Sequence, residues 1–259
     1  MDTTSSARSA ATPELALVAA ARRDPELVVL EGFHALKHAL RFGGEILGVW
    51  TADVLALEAL RVRLAPDLAL PPVSVVAADA LAAVVPRAQV LAVARRPDQP
   101  DARVLLALGG PEPVVLLESP RHLGNLGACI RVAAAAGAAG VLTTGAQDPW
   151  HADALRGSAG LHFALPVRRI RALEASARPL VALDPEGEVL GAPGVTPIPP
   201  GAVLAFGTER DGISEALLAR ADRRVALAMR PGVSSLNLAT SVAATLYAMA
   251  AGGTDQPAS

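Results

Sequence analysis

Cysteine occurs once among the 259 residues, at Cys129. A lone cysteine excludes an intramolecular disulfide and a cysteine-rich zinc site. The five histidines form no H-E-x-x-H pattern, so no metal is expected. There is no G-x-G-x-x-G and no Walker loop, which argues against a generic nucleotide-binding α/β protein. Apolar runs are broken by Pro, Gly or charge before they reach membrane-spanning length. Met1–Thr12 is polar and small rather than a basic head with an apolar stretch behind it, so the expectation is a cytoplasmic protein without a signal peptide. Lysine also occurs once, at Lys37, and arginine carries the rest of the basic content, which codon bias together with abundant Ala, Gly and Pro accounts for. A net charge of −2 does not advertise a polyanion binder. What is plentiful is core material: 52% hydrophobic and 19% charged residues describe a globular protein of one large or two ordinary domains.

Short apolar runs alternate with helical periodicities along the chain. Residues 27–30 read as a strand, and 32–41 as a helix whose Phe33, Leu36 and Leu40 share one face. Strands at 46–50, 73–76 and 89–94 and helices at 55–64 and 78–84 follow. This predicts a flexible N-terminus over 1–24 and a small α/β domain over 25–108. The polar stretches Arg95–Ala102 and Gly109–Pro113 bracket the junction. Beyond it, strands are expected at 114–117, 140–143, 163–167, 180–183, 203–206 and 225–229. Helices are expected at about 123–136, 151–158, 213–220 and 236–251. Short, continuously apolar strands suit a mostly parallel sheet flanked by helices over 109–252, ahead of a loose tail over 253–259.

Three glycine-punctuated segments lie where apolar strands meet helices, the place where open α/β sheets put their ligands. In the first, Leu116–Gly127 leaves a strand, turns through Pro120, Gly124 and Gly127, and enters a helix carrying Asn125 and Arg131. The glycines permit close backbone approach and the helix N-terminus offers free N–H groups. Alone, this segment reads as a capped βα turn with a surface arginine. In the second, Gly207-Thr-Glu-Arg-Asp-Gly212 packs three charges into a loop behind Val203–Phe206, which alone reads as a solvated turn before a helix cap. In the third, Leu227-Ala-Met-Arg-Pro-Gly-Val-Ser-Ser-Leu-Asn237 runs from a strand into a long apolar helix that Ser234 or Ser235 could cap.

Together and in this order the three segments resemble the SpoU/TrmH family of RNA 2′-O-ribose methyltransferases, members of the SPOUT superfamily. The resemblance covers about residues 112–251, and more weakly 27–95, where Val29–Lys37 looks like the opening of an L30e-like RNA-binding domain. It departs from the family at His122, where a second Asn is common, and at Ala228, where Pro is frequent. The resemblance implies a C-terminal SPOUT domain with a trefoil knot, a homodimer, S-adenosyl-L-methionine as cofactor, and RNA as partner, with ribosomal RNA favoured over tRNA. It implies catalytic roles for Arg131, Asn125, Glu209, Ser235 and Asn237, and cofactor contacts from Gly207, Leu227, Met229 and Leu236. Arg156 and Ser158 become candidates to face RNA. A tRNA methyltransferase and a catalytically silent RNA-binding protein of the same fold stand as alternatives.

Overall fold

A computed structural model of the protein describes residues 15–86, 88–107, 109–208 and 211–252. Backbone contacts divide the chain after Pro97 into two compact units.

The first unit comprises α1 (Ala16–Ala21), β1 (Leu27–Glu31), α2 (Phe33–Arg41), β2 (Ile46–Thr51), α3 (Val54–Leu64), β3 (Ser74–Val75), α4 (Ala78–Val84) and β4 (Val90–Arg95). The sheet order is β1-β4-β2-β3; β4 runs antiparallel to β1 and β2, and β3 is parallel to β2. Strand β4 is buried except at Arg95, as a strand paired on both edges should be. Helix α3 starts where Asp53 accepts the Ala56 N–H at 2.9 Å. Helix α1 falls inside the stretch expected to be flexible. Leu15, Val18 and Ala21 recur every third residue, so one helical face enters a core shared with Trp50, Leu91 and Val93.

The second unit holds α5 (Ala102–Leu106), β5 (Val114–Leu117), α6 (Leu123–Ala135), β6 (Gly140–Thr143), α7 (Ala152–Gly157), β7 (Val167–Arg169), β8 (Leu180–Val189), β9 (Val203–Phe206), α8 (Glu215–Leu218), β10 (Arg223–Ala226) and α9 (Leu238–Gly252). Six strands in the order β10-β8-β9-β5-β6-β7 pair in parallel throughout. Strands β5, β6 and β9 are wholly buried, which explains the unbroken apolar sequence of β5 and β9. Leu105 and Leu106 of α5 join the core of this unit beside Val114, Leu142 and Val203.

The strand expected at 163–167 begins only at Val167. Gly160, at φ 78°, turns the chain into a 3₁₀ turn over Leu161–Ala164 that buries His162. The Trp150 indole N–H then donates to the Val167 carbonyl at 3.0 Å and fixes the entry to β7. Gly127 serves packing: a Cβ there would lie 2.2 Å from the Ala154 carbonyl oxygen, so α6 and α7 meet backbone to backbone. Its close approach is to a neighbouring helix, whereas Gly124 opens onto free space. Arg178, 7% exposed, sits before β8, where its guanidinium donates to the carbonyls of Ala107, Glu112 and Gly201.

Candidate active site

Because every strand of the second sheet points the same way, the loops after β5, β8, β9 and β10 emerge at one edge. The chain builds β5, β6 and β7 to one side, and β8, β9 and β10 to the other. Strands β5 and β9 are thus neighbours across the switch in direction, where a crevice forms in such sheets. The first two motif segments leave β5 and β9, and the third leaves β10.

A cleft of about 250 Å³ lies at this edge. Its lining includes Gly207 and Thr208 from the second segment, and Leu227, Met229, Ser235 and Leu236 from the third. The loop of the second segment is closed on itself: Thr208 N–H donates to Gly212 O at 2.9 Å, and Gly212 N–H returns to Thr208 O at 3.3 Å. Gly207 lies so close to the far side of that loop that a Cβ would stand 1.9 Å from the Gly212 carbonyl carbon. Glycine is required there. Glu118, at the end of β5, accepts the Ser214 backbone N–H and hydroxyl, each at 2.7 Å, and so anchors the start of α8 to the first segment. Arg121 pairs with Asp211 at 2.7 Å, a second tie between the same two loops.

Asn237 links the third segment to the first. Its Oδ1 accepts the N–H groups of Ala239 and Thr240 and caps α9, while its Nδ2 donates to Asn125 Oδ1 at 3.1 Å. One side chain starts the last helix and holds the asparagine of motif one. Apolar residues such as Leu183, Phe206, Val225 and Leu227 make up most of the cleft lining, and Thr208, Ser234, Ser235 and Ser241 add polar groups. A largely apolar cradle with a few convergent polar groups is the usual form of a small-molecule site.

A second cleft, of about 600 Å³, opens beside Asn125 between α6 and α7, where Arg121, His122, Gln147 and Arg156 line it. Arg156 is exposed and pairs with Asp153. The Arg168–Arg171 cluster is partly structural: Arg168 donates to the carbonyls of Gln99 and Pro100, and Arg169 to that of Ala146.

Two of the expected site residues stand elsewhere. Ser158 is fully buried; its hydroxyl bridges the Leu155 carbonyl at 3.0 Å and His162 Nδ1 at 2.7 Å, and accepts the Gly160 N–H at 3.1 Å. It cannot face RNA, because the turn after α7 folds over it. Arg131 stands exposed on α6, lines neither cleft, and its side chain has no hydrogen bond or ion pair among the described residues. Glu209 lies outside the described residues. Cys129 is buried inside α6. The role of Glu118 escaped the sequence reading, since a strand-end carboxylate resembles ordinary loop chemistry.

No helix among the described residues is long and apolar enough to cross a membrane, and among them no group of three or more His, Cys, Asp or Glu side chains could hold a metal ion. The family model of SpoU rRNA methylases matches residues 112–247, more than half the chain. A tRNA/rRNA methyltransferase of Mycobacterium bovis is 33% identical over 168 residues, 61% of this chain and 58% of that protein. The chain therefore spans little more than half the length of that relative. The 23S rRNA (guanosine(2553)-2′-O)-methyltransferase RlmP of Bacillus subtilis is 30% identical over 229 residues, 85% of this chain and 86% of that one. Among solved structures, the SpoU methyltransferase AviRb from Streptomyces viridochromogenes, in complex with AdoMet, superposes with a TM-score of 0.75 at 22% identity, covering 91% of this chain and 94% of that one. That likeness speaks for the fold.

Proposed function

The chain belongs to the SpoU rRNA methylase family, and from that membership we propose that it transfers a methyl group from S-adenosylmethionine to a ribose 2′-hydroxyl of RNA. The observation that carries this reading is that the second and third motif segments line one cleft while the Asn237–Asn125 hydrogen bond ties the first segment to the third. The cleft suits a nucleoside cofactor, because Gly207 keeps the loop narrow and the lining is mostly apolar with a few polar residues. Gly207, Leu227, Met229 and Leu236 would hold it. When bound, the cofactor would supply an electrophilic methyl on a sulfonium, with sulfur as the leaving group.

The chain's own task is to hold the attacking hydroxyl in line and to assist departure of its proton. Holding two reactants in one geometry can remove several kcal/mol from a barrier. Asn125, Asn237, Ser235 and Glu209 are the groups we assign to the ribose. Arg131 is assigned to the hydroxyl and an adjacent phosphate. A guanidinium with a pKa above about 12 acts there by orientation and charge. Its place outside both clefts of its own chain fits a homodimer in which Arg131 of the partner subunit completes the site. The cleft beside Asn125, with Arg121 and Arg156 on its walls, suits the flanking RNA backbone. Dimerisation would also gather arginines into a basic surface that the net charge of a single chain conceals. The first unit is read as an accessory RNA-binding domain of L30e type, and the trefoil knot belongs to the same reading.

Ribosomal RNA, 23S in particular, is the favoured substrate, supported by the Bacillus subtilis relative that extends over both units. Incubation with radiolabelled S-adenosylmethionine and separate pools of unmodified rRNA and tRNA, followed by digestion to nucleosides, tests the reading. A labelled 2′-O-methylnucleoside from rRNA is expected. Label on a base sinks the ribose chemistry, label from tRNA alone reassigns the substrate, and absence of cofactor binding points to the silent binder. Arg131→Ala should abolish turnover while cofactor affinity and thermal midpoint stay unchanged; retained turnover removes Arg131 from the mechanism.

A further inference from the structure

Strand β8 does not pair with β10 continuously. Arg223 and Arg224 face Val181 and Ala182, but the next pair is Val225 with Glu188. Residues 183–187 therefore leave the ladder as a five-residue excursion. Gly187 brings the chain back so tightly that a Cβ there would lie 2.6 Å from the Arg224 carbonyl carbon. Interruptions of this kind re-aim side chains and gather next to active sites. Here the excursion delivers Leu183, Asp184 and Pro185 to the wall of the cleft beside Gly207 and Leu227.

Among the described residues, Asp184 is the one charged residue lining that cleft. Its side chain is 13% exposed. One carboxylate oxygen accepts the Glu186 N–H at 3.2 Å, and the other lies 3.4 Å from Arg224 Nη1. A carboxylate can accept about four hydrogen bonds, so acceptor capacity remains toward the cleft. Its charge is already matched by Arg224, which favours neutral donors over a second cation. Position along the sheet decides which donors these are. Strand β8 stands two strands from β5 in the order β8-β9-β5, and strands lie about 4.8 Å apart, so the β8 loop is roughly 10 Å from the loop that carries Asn125. The methyl-bearing end of the cofactor must reach the Asn125 side, where the RNA hydroxyl arrives. The nucleoside end then lies against β8.

We infer that Asp184 is a cofactor-binding residue whose carboxylate accepts the ribose 2′-hydroxyl of the bound nucleoside. This rests on the reading of S-adenosylmethionine as cofactor. The carboxylate selects a ribonucleoside against a deoxy analogue and is indifferent to the charge on sulfur.

Calorimetric titration of the full chain with S-adenosylmethionine, S-adenosylhomocysteine and 2′-deoxy-S-adenosylhomocysteine tests it. A hydrogen bond to a charged group is worth about 1.5–3 kcal/mol, roughly 10- to 100-fold in affinity. The wild-type chain is expected to prefer the ribose form over the deoxy form by at least about tenfold. Asp184→Ala should weaken the two ribose ligands by that factor, leave the deoxy ligand unchanged, and so erase the preference. Asp184→Asn, which keeps one acceptor oxygen, should fall between and guards against a folding defect in the alanine variant. Arg224→Gln, which removes only the ion pair, should keep the preference. The inference is overturned if Asp184→Ala discriminates as the wild type does, if it weakens S-adenosylmethionine but spares S-adenosylhomocysteine, or if Arg224→Gln erases the preference equally. A wild-type chain that binds neither ribose ligand defeats the cofactor reading itself, and this inference with it.

Discussion

Gly207→Ala should break the cofactor cleft without touching any side chain in it. The added Cβ would stand 1.9 Å from the Gly212 carbonyl carbon, 2.1 Å from its oxygen and 2.2 Å from the Ile213 nitrogen. Carbon atoms relax at about 3.5 Å, so the two sides of the loop must part by roughly 1.6 Å. The paired hydrogen bonds between Thr208 and Gly212, at 2.9 and 3.3 Å, cannot survive that displacement. Losing them costs about 1 kcal/mol each, and overpacking adds about 1–3 kcal/mol. A loss of about 3 kcal/mol in the competent loop corresponds to at least roughly 100-fold in cofactor affinity. Calorimetric titration with S-adenosylmethionine, alongside a thermal melt, measures it. Gly124→Ala is the control: its Cβ meets nothing within 4 Å, and alanine in a helix should stabilise by about 0.5–1 kcal/mol. A Gly207→Ala chain that binds cofactor within threefold of the wild type refutes the argument that backbone closure shapes the cleft.

Three further outcomes are expected. Asn237→Asp keeps the acceptor that caps α9 but loses the donor to Asn125, so its melting point should match the wild type while methyl transfer falls at least tenfold; Asn237→Ala should in addition lose about 1 kcal/mol of stability. Full activity in the Asp variant would show that the Asn125 bond is dispensable. Ser158→Ala removes a buried hydroxyl with three partners and should cost about 1–3 kcal/mol in chemical denaturation while RNA affinity in filter binding is unchanged. The reverse pattern would restore Ser158 as an RNA contact. Arg178→Ala leaves three carbonyls without their donor and should cost about 3 kcal/mol. The cofactor dissociation constant should not move, because Arg178 lies at the amino edge of the sheet; a changed constant would mean that the two edges are coupled.

The parallel sheet was legible because buried strands such as Val114–Leu117 and Val203–Phe206 carry no polar residue, and each is bounded by glycine or proline. The motif segments were legible because glycines with polar residues between a strand and a helix have few structural uses. Other features depended on contacts distant in sequence. Gly127 could be recognised as unusual, but only the packing of α7 distinguishes helix contact from ligand contact. Ser158 and Arg156 are two residues apart, and nothing local tells that the 3₁₀ turn covers one and leaves the other exposed. The excursion of β8 was hidden because Asp184-Pro-Glu-Gly187 reads as an ordinary turn, and its consequence depends on the partner strand β10. Helix α1 was missed for the opposite reason: six residues carry little periodic signal, and its stability comes from the core that it joins.

The bond between Asn237 and Asn125 joins residues 112 positions apart, and this sets an order of events during synthesis. Chains emerge at about 5–20 residues per second, so about 6 to 22 seconds separate the appearance of the two asparagines. Until the second arrives, α9 has no cap, the lining of the cleft lacks Leu238 and Ser241, and Asn125 waits without this partner. The site proposed for methyl transfer is therefore born last. A chain cut before Ser234 would retain all six strands and yet have no completed place for either substrate.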